Sequence, residues 1–416
     1  MLNPAAPFRL ALRERHIRRL LAGLAASQAG DWLYNLALLA LVYNRTHSSV
    51  WVGLTTAARI LPAVVLGPLA GILADRIDRR VLMLSSDSIA AATMGTLALV
   101  ALAHGPVLLI PLLAAVCTAA CSPYIPCVVA VMPRLANDEQ LPAANAARVS
   151  IQSICVVAGP LLGAVLMLLG SVAIAFVVNG ATFLLGAVAV AGLPRQALRR
   201  PTGDEVQAHE GLRRELASGW QALRGYSEAM GIVGANVIAS AVYGALTVLL
   251  VILGDRLGLG AAGYGYLLAA VGAGGVLAAG VANKAAGSPC PRRALIISVI
   301  AVGAPLPALA IVDWVPAAIL LAACFGAGSV VAEVVGDTCL QRKLDPSVFA
   351  RAYGLVLPAC LGGIVAGAVL APLGIALLGL GGTLFVVGAG VIAYGVLVLP
   401  RPARSQLAVP AVASVE

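Results

Sequence analysis

The chain has 416 residues, of which 61% are hydrophobic and only 11% are charged. A soluble domain carries about 25% charged residues, so this composition excludes an ordinary soluble globular protein. The net charge of +9 does not indicate nucleic-acid binding, because the basic residues are divided among short segments between long apolar runs.

The apolar runs are each about twenty residues long, the length that a helix needs to cross roughly 30 Å of hydrocarbon. The sequence therefore predicts an all-α integral membrane protein with twelve transmembrane helices in two pseudo-symmetric six-helix halves. In chain order the predicted spans cover residues 20–43, 51–73, 81–103, 106–132, 147–169, 171–193, 229–253, 263–283, 294–312, 316–338, 352–378 and 381–400.

The basic residues are distributed unequally between the two sides of these spans. All but three of the 27 Lys and Arg residues fall on one side. The exceptions are Arg45 and Arg256, in loops on the other side, and Arg59, inside the second span. Because cytoplasmic loops are enriched in Lys and Arg, both termini are predicted to be cytoplasmic. We expect a multi-pass protein of a bacterial cytoplasmic membrane.

Four segments are predicted from the position of the polar stretches. Residues 1–193 form an N-terminal six-helix bundle, and residues 229–400 form a C-terminal six-helix bundle. Between them, residues 194–228 form a cytoplasmic linker, in which Gly211 to Gly225 has the spacing of an amphipathic surface helix. Residues 401–416 form a cytoplasmic tail. Weak similarity between the halves is typical of transporters built from two repeats, with the binding site near the midplane.

The first span carries polar residues on one helical face, and Asp31 is the most unusual of them. It lies about 16 Å from the inner end of the span, near mid-bilayer. A charged carboxylate there costs roughly 2.5–3.5 kcal/mol on insertion scales, so it should face a polar cavity or a partner. A neutral carboxyl that joins two helices is the alternative.

A second polar face, on span seven, predicts the opposite wall of a central substrate cavity. The alternative is that these amides and hydroxyls simply join helices. The residues expected in the cavity are Gln28, Tyr34 and Asn35 of span one, with Asn236, Ser240 and Tyr243 of span seven.

Two further charged residues inside spans are candidates for proton coupling. Arg59 lies at a similar depth to Asp31 and could pair with it; reaching the outer headgroups alone is the alternative. Glu333 lies one helical turn from Asp337 near the inner end of span ten. Two such carboxylates repel each other when ionised, which suits a proton relay. A plain ion pair of Asp337 with nearby basic residues is equally compatible.

Residues 71–80 form a burst of charge between the second and third spans, and such a turn must lie at the membrane surface. Its sequence resembles the loop after the second helix of major facilitator superfamily transporters, Gly-x-Leu-Ala-Asp-Arg-x-Gly-Arg-Arg/Lys. Asp78 replaces the second Gly, which resembles the branch containing macrolide-efflux proteins and the enterobactin exporter. The matching residues are Gly71, Asp75, Arg76, Arg79 and Arg80.

The resemblance implies that this loop is an inner gate. In the family, the Asp at the position of Asp75 caps the inner start of span eleven, and a negative charge there is favourable beside a helix N-terminus. Arg76 and Arg79 match the family's gate arginines. A solvated turn that serves only topology is the alternative.

Span five contains Gly159, Pro160 and Gly163, which resemble the core of a motif associated with antiporters of this superfamily. The motif is degraded, because Ala164 stands where the last Gly is expected. Gly and Pro in a buried helix also allow close packing and a bend in any transporter. The segment favours export without deciding it.

These features predict a secondary active transporter that works by alternating access, and the first hypothesis is proton-coupled export of an amphiphilic small molecule by a monomer. A proton symporter or facilitator that imports a small metabolite is the alternative, and a non-transporting membrane scaffold or sensor is less favoured. The pattern indicates no enzyme, cofactor or metal site, since no nucleophile–His pair, metal cluster or phosphate loop appears. The expected partners are the substrate, protons and the lipid bilayer.

Overall fold

The computed structural model describes residues 14–137, 140–168, 172–199, 227–260, 263–286, 291–343 and 346–397, and every regular element within them is a helix. The first half contains α1 (Arg15–Thr46), α2 (Ser49–Arg76), α3 (Arg79–Leu102), α4 (Leu109–Cys121), α5 (Tyr124–Leu135), α6 (Leu141–Leu168), α7 (Val172–Ala191) and the single turn α8 (Arg195–Leu198). The second half contains α9 (Ser227–Arg256), α10 (Gly263–Ala286), α11 (Pro291–Gly303), α12 (Pro305–Ile311), α13 (Val315–Lys343) and α14 (Pro346–Leu397).

We call the side on which α1 begins and α2 ends the inner side, following the predicted orientation. The opposite side is the outer side. Most of the predicted linker, residues 200–226 with the amphipathic segment Gly211 to Gly225, lies outside the described residues, as does the tail 401–416.

Eight stretches of the described helices are long and apolar enough to cross a membrane. α1 and α6 cover predicted spans one and five without meeting that criterion, and α10 contributes a shorter apolar stretch, Gly263–Ala278. α14 covers spans eleven and twelve and is interrupted at Gly379, where φ is +70°. The all-helical membrane fold is confirmed, and the count of twelve helices stays a prediction.

Large apolar side chains cover the outside of the molecule. Val188, Leu277 and Leu377 are 70%, 82% and 73% exposed. A soluble protein rarely exposes so much apolar surface, and hydrocarbon chains are its natural neighbours in a bilayer.

Two predicted spans are built from two helices each. Pro123 separates α4 from α5, and Pro305 begins α12 immediately after the break that ends α11. Proline has no backbone N–H and disfavours the α conformation of the preceding residue. The backbone nevertheless stays in the right-handed α region at Pro123 and Ala304. The hydrogen-bond ladder is therefore interrupted without turning the chain back.

Within each half, small residues allow close packing. α7 packs along both α1 and α3, and a Cβ added to Gly23 would stand 2.9 Å from the Cβ of Ala189. In the second half α10 packs along α13, and a Cβ on Gly274 would overlap the carbonyl oxygen of Ala323. Van der Waals contact between backbones is the main attraction between helices in lipid.

The two outer arginines make the same kind of contact in the two halves. Arg45, at the end of α1, donates to carbonyls at the end of α3; Arg256, at the end of α9, donates to carbonyls at the end of α12. A cation there satisfies carbonyls that the helix leaves without partners. The acceptors are Val100, Ala101 and Gly105 at 2.7–2.9 Å, and Ala310 and Val312 at 3.0 and 2.8 Å, with Asp313 paired to Arg256 at 2.8 Å.

The two halves meet where α2 packs against α14 and α6 against α10. Near the outer side, the hydroxyls of Thr56 and Thr247 lie 3.5 Å apart, and Gly53 lies against the backbone of Ala368. A further bond between the halves, from Tyr43 to Asp255, lies at the outer ends of α1 and α9. These contacts join the two halves on the outer side.

Candidate functional site

Asp31 lies in the middle of α1, which packs along α7. Asn179 of α7 interacts with its carboxylate, and the guanidinium of Arg59 in α2 acts on it electrostatically. Both charged residues are described, and no direct ion pair joins them, whereas Arg256 and Asp313 do form one. Asp31 and Arg59, which the sequence predicts as a pair, therefore interact electrostatically in this conformation without a direct ion pair.

Arg59 stands between the two halves. Its charge reaches Tyr34 of α1, Tyr243 of α9 and Tyr264 of α10. The hydroxyls of Tyr34 and Tyr264 and the Nε of Arg59 are buried without a protein hydrogen-bond partner. A buried polar group left without a hydrogen bond costs about 1–3 kcal/mol. A movement of the halves or a bound ligand that supplies hydrogen-bond partners to these groups is therefore favourable. We call Asp31, Arg59 and these three tyrosines the central cluster.

A cavity of about 230 Å³ lies in the inner part of the second half, between α9, α13 and α14. Three predicted cavity residues, Asn236, Ser240 and Tyr243, line it, and Glu333 and Asp337 face them from α13. The amide of Asn236 donates to Oδ1 of Asp337 at 3.5 Å. The remaining lining residues are Ala239, Ser329, Val356, Leu357, Cys360 and Ile364.

The polar side chains of α1 point in two directions, toward the first half and toward the interface between the halves. Tyr34 is 4% exposed and packs on Phe176 of α7, with ring centroids 6.2 Å apart, so it lies inside the first half. Asn35 faces Tyr264 of α10 across the interface between halves. Gln28 is half-buried. Residues seven apart share a helical face. Ser27 and Tyr34 therefore lie on one face of α1, and Gln28 and Asn35 lie on the neighbouring face.

In the 71–80 loop, Asp78 and Arg79 hold helix ends together. Asp78 caps α3, because its carboxylate accepts hydrogen bonds from the backbone N–H groups of Arg80 and Val81 at 2.8 and 3.4 Å. Arg79 is buried and donates to the carbonyl of Ala74 at 3.3 Å and to the carbonyl of Ala130 in α5 at 3.4 Å. Asp78 and Arg79 thus stabilise the inner end of the first half.

The other loop residues have mixed surroundings. Arg80 donates to the carbonyls of Leu193 and Ala191, beyond and at the end of α7, at 3.2 and 2.7 Å. Arg76 is exposed. The surroundings of Gly71 and the side chain of Asp75 lie outside the described part of the chain, so its contact with span eleven stays a prediction.

A family model, Major Facilitator Superfamily, matches residues 20–366 of the chain. The chain belongs to this superfamily. The protein is therefore a multi-pass membrane protein of a superfamily of transporters.

Two curated bacterial proteins resemble this superfamily member over part of their length. The chain is 31% identical to the MFS-type transporter YfiS of Bacillus subtilis over 185 residues, 44% of this chain and 43% of YfiS. It is 29% identical to macrolide efflux protein A of Streptococcus pyogenes over 207 residues, 49% of this chain and 50% of that protein. The chain thus matches about half the length of these relatives.

Solved transporters share the same fold. The nucleoside transporter NupG superposes with a TM-score of 0.72 at 14% identity, covering 92% of this chain and 97% of NupG. A POT family transporter in complex with a thioalcohol-conjugated peptide gives 0.72 at 13% identity, covering 92% and 95%. At this identity the likeness concerns the major facilitator fold alone.

The glycines of span five pack α6 against α1 in this transporter. A Cβ on Gly159 would overlap the side chain of Trp32, and one on Gly163 would stand 3.5 Å from the Cβ of Leu36. Pro160 lies within the continuous helix α6, and its side chain is outside the described part. Close packing of α6 against α1 therefore explains why glycine stands at both positions.

Sequence reasoning missed one intramembrane carboxylate of the transporter, Asp87. It is 1% exposed on the buried face of α3, together with Ala90 and Met94. Like Asp31, it is a carboxylate inside an apolar span, which is the sequence signal for such a residue. Within the described residues, no group of three or more His, Cys, Asp and Glu side chains could hold a metal ion.

Proposed function

We propose that the protein exports an amphiphilic small molecule in exchange for protons, as a monomer in a bacterial cytoplasmic membrane with both termini cytoplasmic. The observation that carries the proposal is the position of Asp31, a mid-membrane carboxylate within electrostatic reach of Arg59. Intramembrane ionisable groups that face partners across a transporter interface are typical of ion pathways.

The central cluster offers a way to couple proton uptake to the movement of the two halves. An ionised Asp31 attracts Arg59 toward the first half. When Asp31 takes up a proton, that attraction is lost, and Arg59 interacts more strongly with Tyr243 and Tyr264 of the second half. One proton thereby changes the balance of forces across the interface, which is the requirement for coupling it to a conformational equilibrium.

The arrangement of contacts supports an inward-facing state. Bonds between the halves close the outer part of the interface, and the cavity lies in the inner part. Cargo would enter the cavity from the inner side, and the halves would then rock until the outer contacts open. Glu333 would be a further proton acceptor beside the cargo, and the 71–80 loop would close the inner side.

The cavity wall favours an amphiphilic cargo. Ala239, Val356, Leu357 and Ile364 supply apolar surface, and a few amide, hydroxyl and carboxylate groups supply orientation. Binding sites of this composition take largely apolar ligands with a few polar groups. Similarity to macrolide efflux protein A over half its length supports export and suggests macrolides as the first compounds to test.

The test uses an efflux-deficient bacterium that expresses the wild type, Asp31→Asn or Asp313→Asn, which makes the same change at an exposed outer position. Susceptibility to macrolides, other amphiphilic antibiotics, dyes and siderophores is measured with membrane levels matched. We expect protection by the wild type and Asp313→Asn only. Equal protection by Asp31→Asn would contradict the coupling role, and no protection by any variant would contradict export and favour the import alternative.

A further inference from the structure

A second buried carboxylate lies closer to the inner side than Asp31. Asp87 of α3 and Ser27 of α1 are 1% and 7% exposed, and Oδ2 of Asp87 and Oγ of Ser27 have no hydrogen-bond partner. Ser27 precedes Asp31 by four residues, which places it about 6 Å nearer the inner side on the same face of α1.

The two oxygen-bearing groups converge on Gly186 of α7. A Cβ at Gly186 would stand 3.1 Å from Oγ of Ser27 and 3.2 and 3.3 Å from the two carboxylate oxygens of Asp87. Since α7 packs between α1 and α3, any side chain at this position would separate the two groups. The glycine therefore allows the hydroxyl of Ser27 and the carboxylate of Asp87 to approach the same point between α1, α3 and α7.

No cation neutralises Asp87 in the described structure. The titratable groups that interact with it from neighbouring helices are Asp31, Cys121 of α4 and Tyr124 of α5, and α7 contains none. On α3 itself, Arg79 and Arg80 lie two turns nearer the inner side and donate to backbone carbonyls. On the other helices packed on α3, Arg76 of α2, Arg134 of α5 and Arg195 of α8 lie near inner helix ends, and Arg59 of α2 acts on Asp31. A buried carboxylate without a basic partner requires a proton or another small cation.

We propose that Asp87 and Ser27 form a second proton-binding site, which carries protons between Asp31 and the inner side. This inference rests on the proposed proton coupling. The proposed transfer requires the Ser27 side chain to rotate about χ1 between Asp87 and Asp31, which lies one helical turn away. Asp31 gives its proton to Oγ of Ser27, while Ser27 gives its own proton to Asp87. Asp31 becomes a carboxylate, Asp87 becomes a carboxylic acid, Ser27 is restored, and Asp87 later releases the proton inward.

The experiment follows protonated carboxyl groups directly, by infrared difference spectroscopy of the full chain in lipid vesicles during a pH titration. All variants are compared in a background that carries Glu333→Gln and Asp337→Asn, which removes the carboxyl groups of the inner cavity from the carbonyl band. In this background, called the wild type in this experiment, we expect two titration steps of buried carboxyls. Asp87→Asn should remove one step and change the midpoint of the other, and Asp87→Glu should restore two steps. Asp313→Asn is the matched control and should match the wild type. Two unchanged steps in Asp87→Asn would overturn the inference.

Two further measurements test the role of Ser27 and the identity of the bound cation. Ser27→Ala retains both carboxylates, so it should keep both steps but move the midpoint of the Asp87 step; an unmoved midpoint would overturn the role of Ser27. Replacing choline chloride by NaCl should change nothing, and loss of the Asp87 step in NaCl alone would assign a sodium site instead. Because this readout needs no cargo, two steps without export would overturn only the proposed function.

Discussion

The hydroxyl of Tyr43 donates a hydrogen bond of 3.2 Å to the carboxylate of Asp255, and this bond joins the outer ends of α1 and α9. The two residues belong to different halves of the chain. The bond must therefore break whenever the halves separate on the outer side. It stabilises the outer-closed arrangement without contributing to the outer-open one.

Tyr43→Phe should increase the outer-open population. A hydrogen bond contributes about 0.5–1.5 kcal/mol, so we expect roughly a two- to tenfold shift. Distances between spin labels placed at Asn44 and Trp314, in a cysteine-free background, report the separation of the halves. Thr46→Ala is the control, because that hydroxyl bonds to its own helix at Val42. An unchanged distance distribution for Tyr43→Phe would show that the bond carries no conformational bias.

Gly274→Ala should destabilise the second half, because the added methyl would overlap the carbonyl of Ala323 where α10 packs along α13. Overpacking of this kind costs about 1–3 kcal/mol. Gly280→Ala, on the same helix, is the matched control, since a Cβ there meets no atom within 4 Å. The apparent Tm in detergent measures the effect. Equal Tm values for the two variants would contradict the close approach of these helices.

Arg45→Gln and Arg256→Gln should lower the apparent Tm to a similar extent, because each variant removes hydrogen bonds to a helix C-terminus in its own half. Favourable charge–dipole interactions of this kind are worth about 0.3–1 kcal/mol. Arg293→Gln is the control, since Arg293 lies near the start of α11, where a positive charge is unfavourable. A loss of stability in only one of the two variants would show that the halves do not use these arginines alike.

Cys360 should react with a membrane-impermeant maleimide added from the inner side, because its thiol lines the cavity. Cys117, which is 4% exposed, should not react. Variants that retain a single cysteine, in inside-out and right-side-out vesicles, distinguish the two sides. Faster labelling of Cys360 in right-side-out vesicles would contradict an inward-facing cavity.

Several features of the fold follow from local sequence alone. Long apolar runs must form helices in lipid, because no water is present to satisfy the backbone. The interruption between spans eleven and twelve was expected between residues 378 and 381, and it lies at Gly379, where φ is positive. The second-half cavity residues Asn236, Ser240 and Tyr243 were also expected together, because residues three and four apart share a helical face.

Other features depend on which helices become neighbours. The sequence separates Ser27, Asp87 and Gly186 by about 60 and 100 positions, and only the packing of α7 between α1 and α3 brings them together. The sequence likewise suggested a direct pair of Asp31 and Arg59, whereas in this conformation the two side chains interact electrostatically without a direct ion pair.

The amino-acid sequence by itself thus determined the membrane class, the helical segments, the expected sidedness and the superfamily, because each follows from local hydropathy, charge and a ten-residue motif. Only the tertiary structure decided which polar groups face each other and which remain buried without a partner. Those relations depend on interhelical distances of a few ångströms, which close packing of small residues sets and which no local pattern encodes.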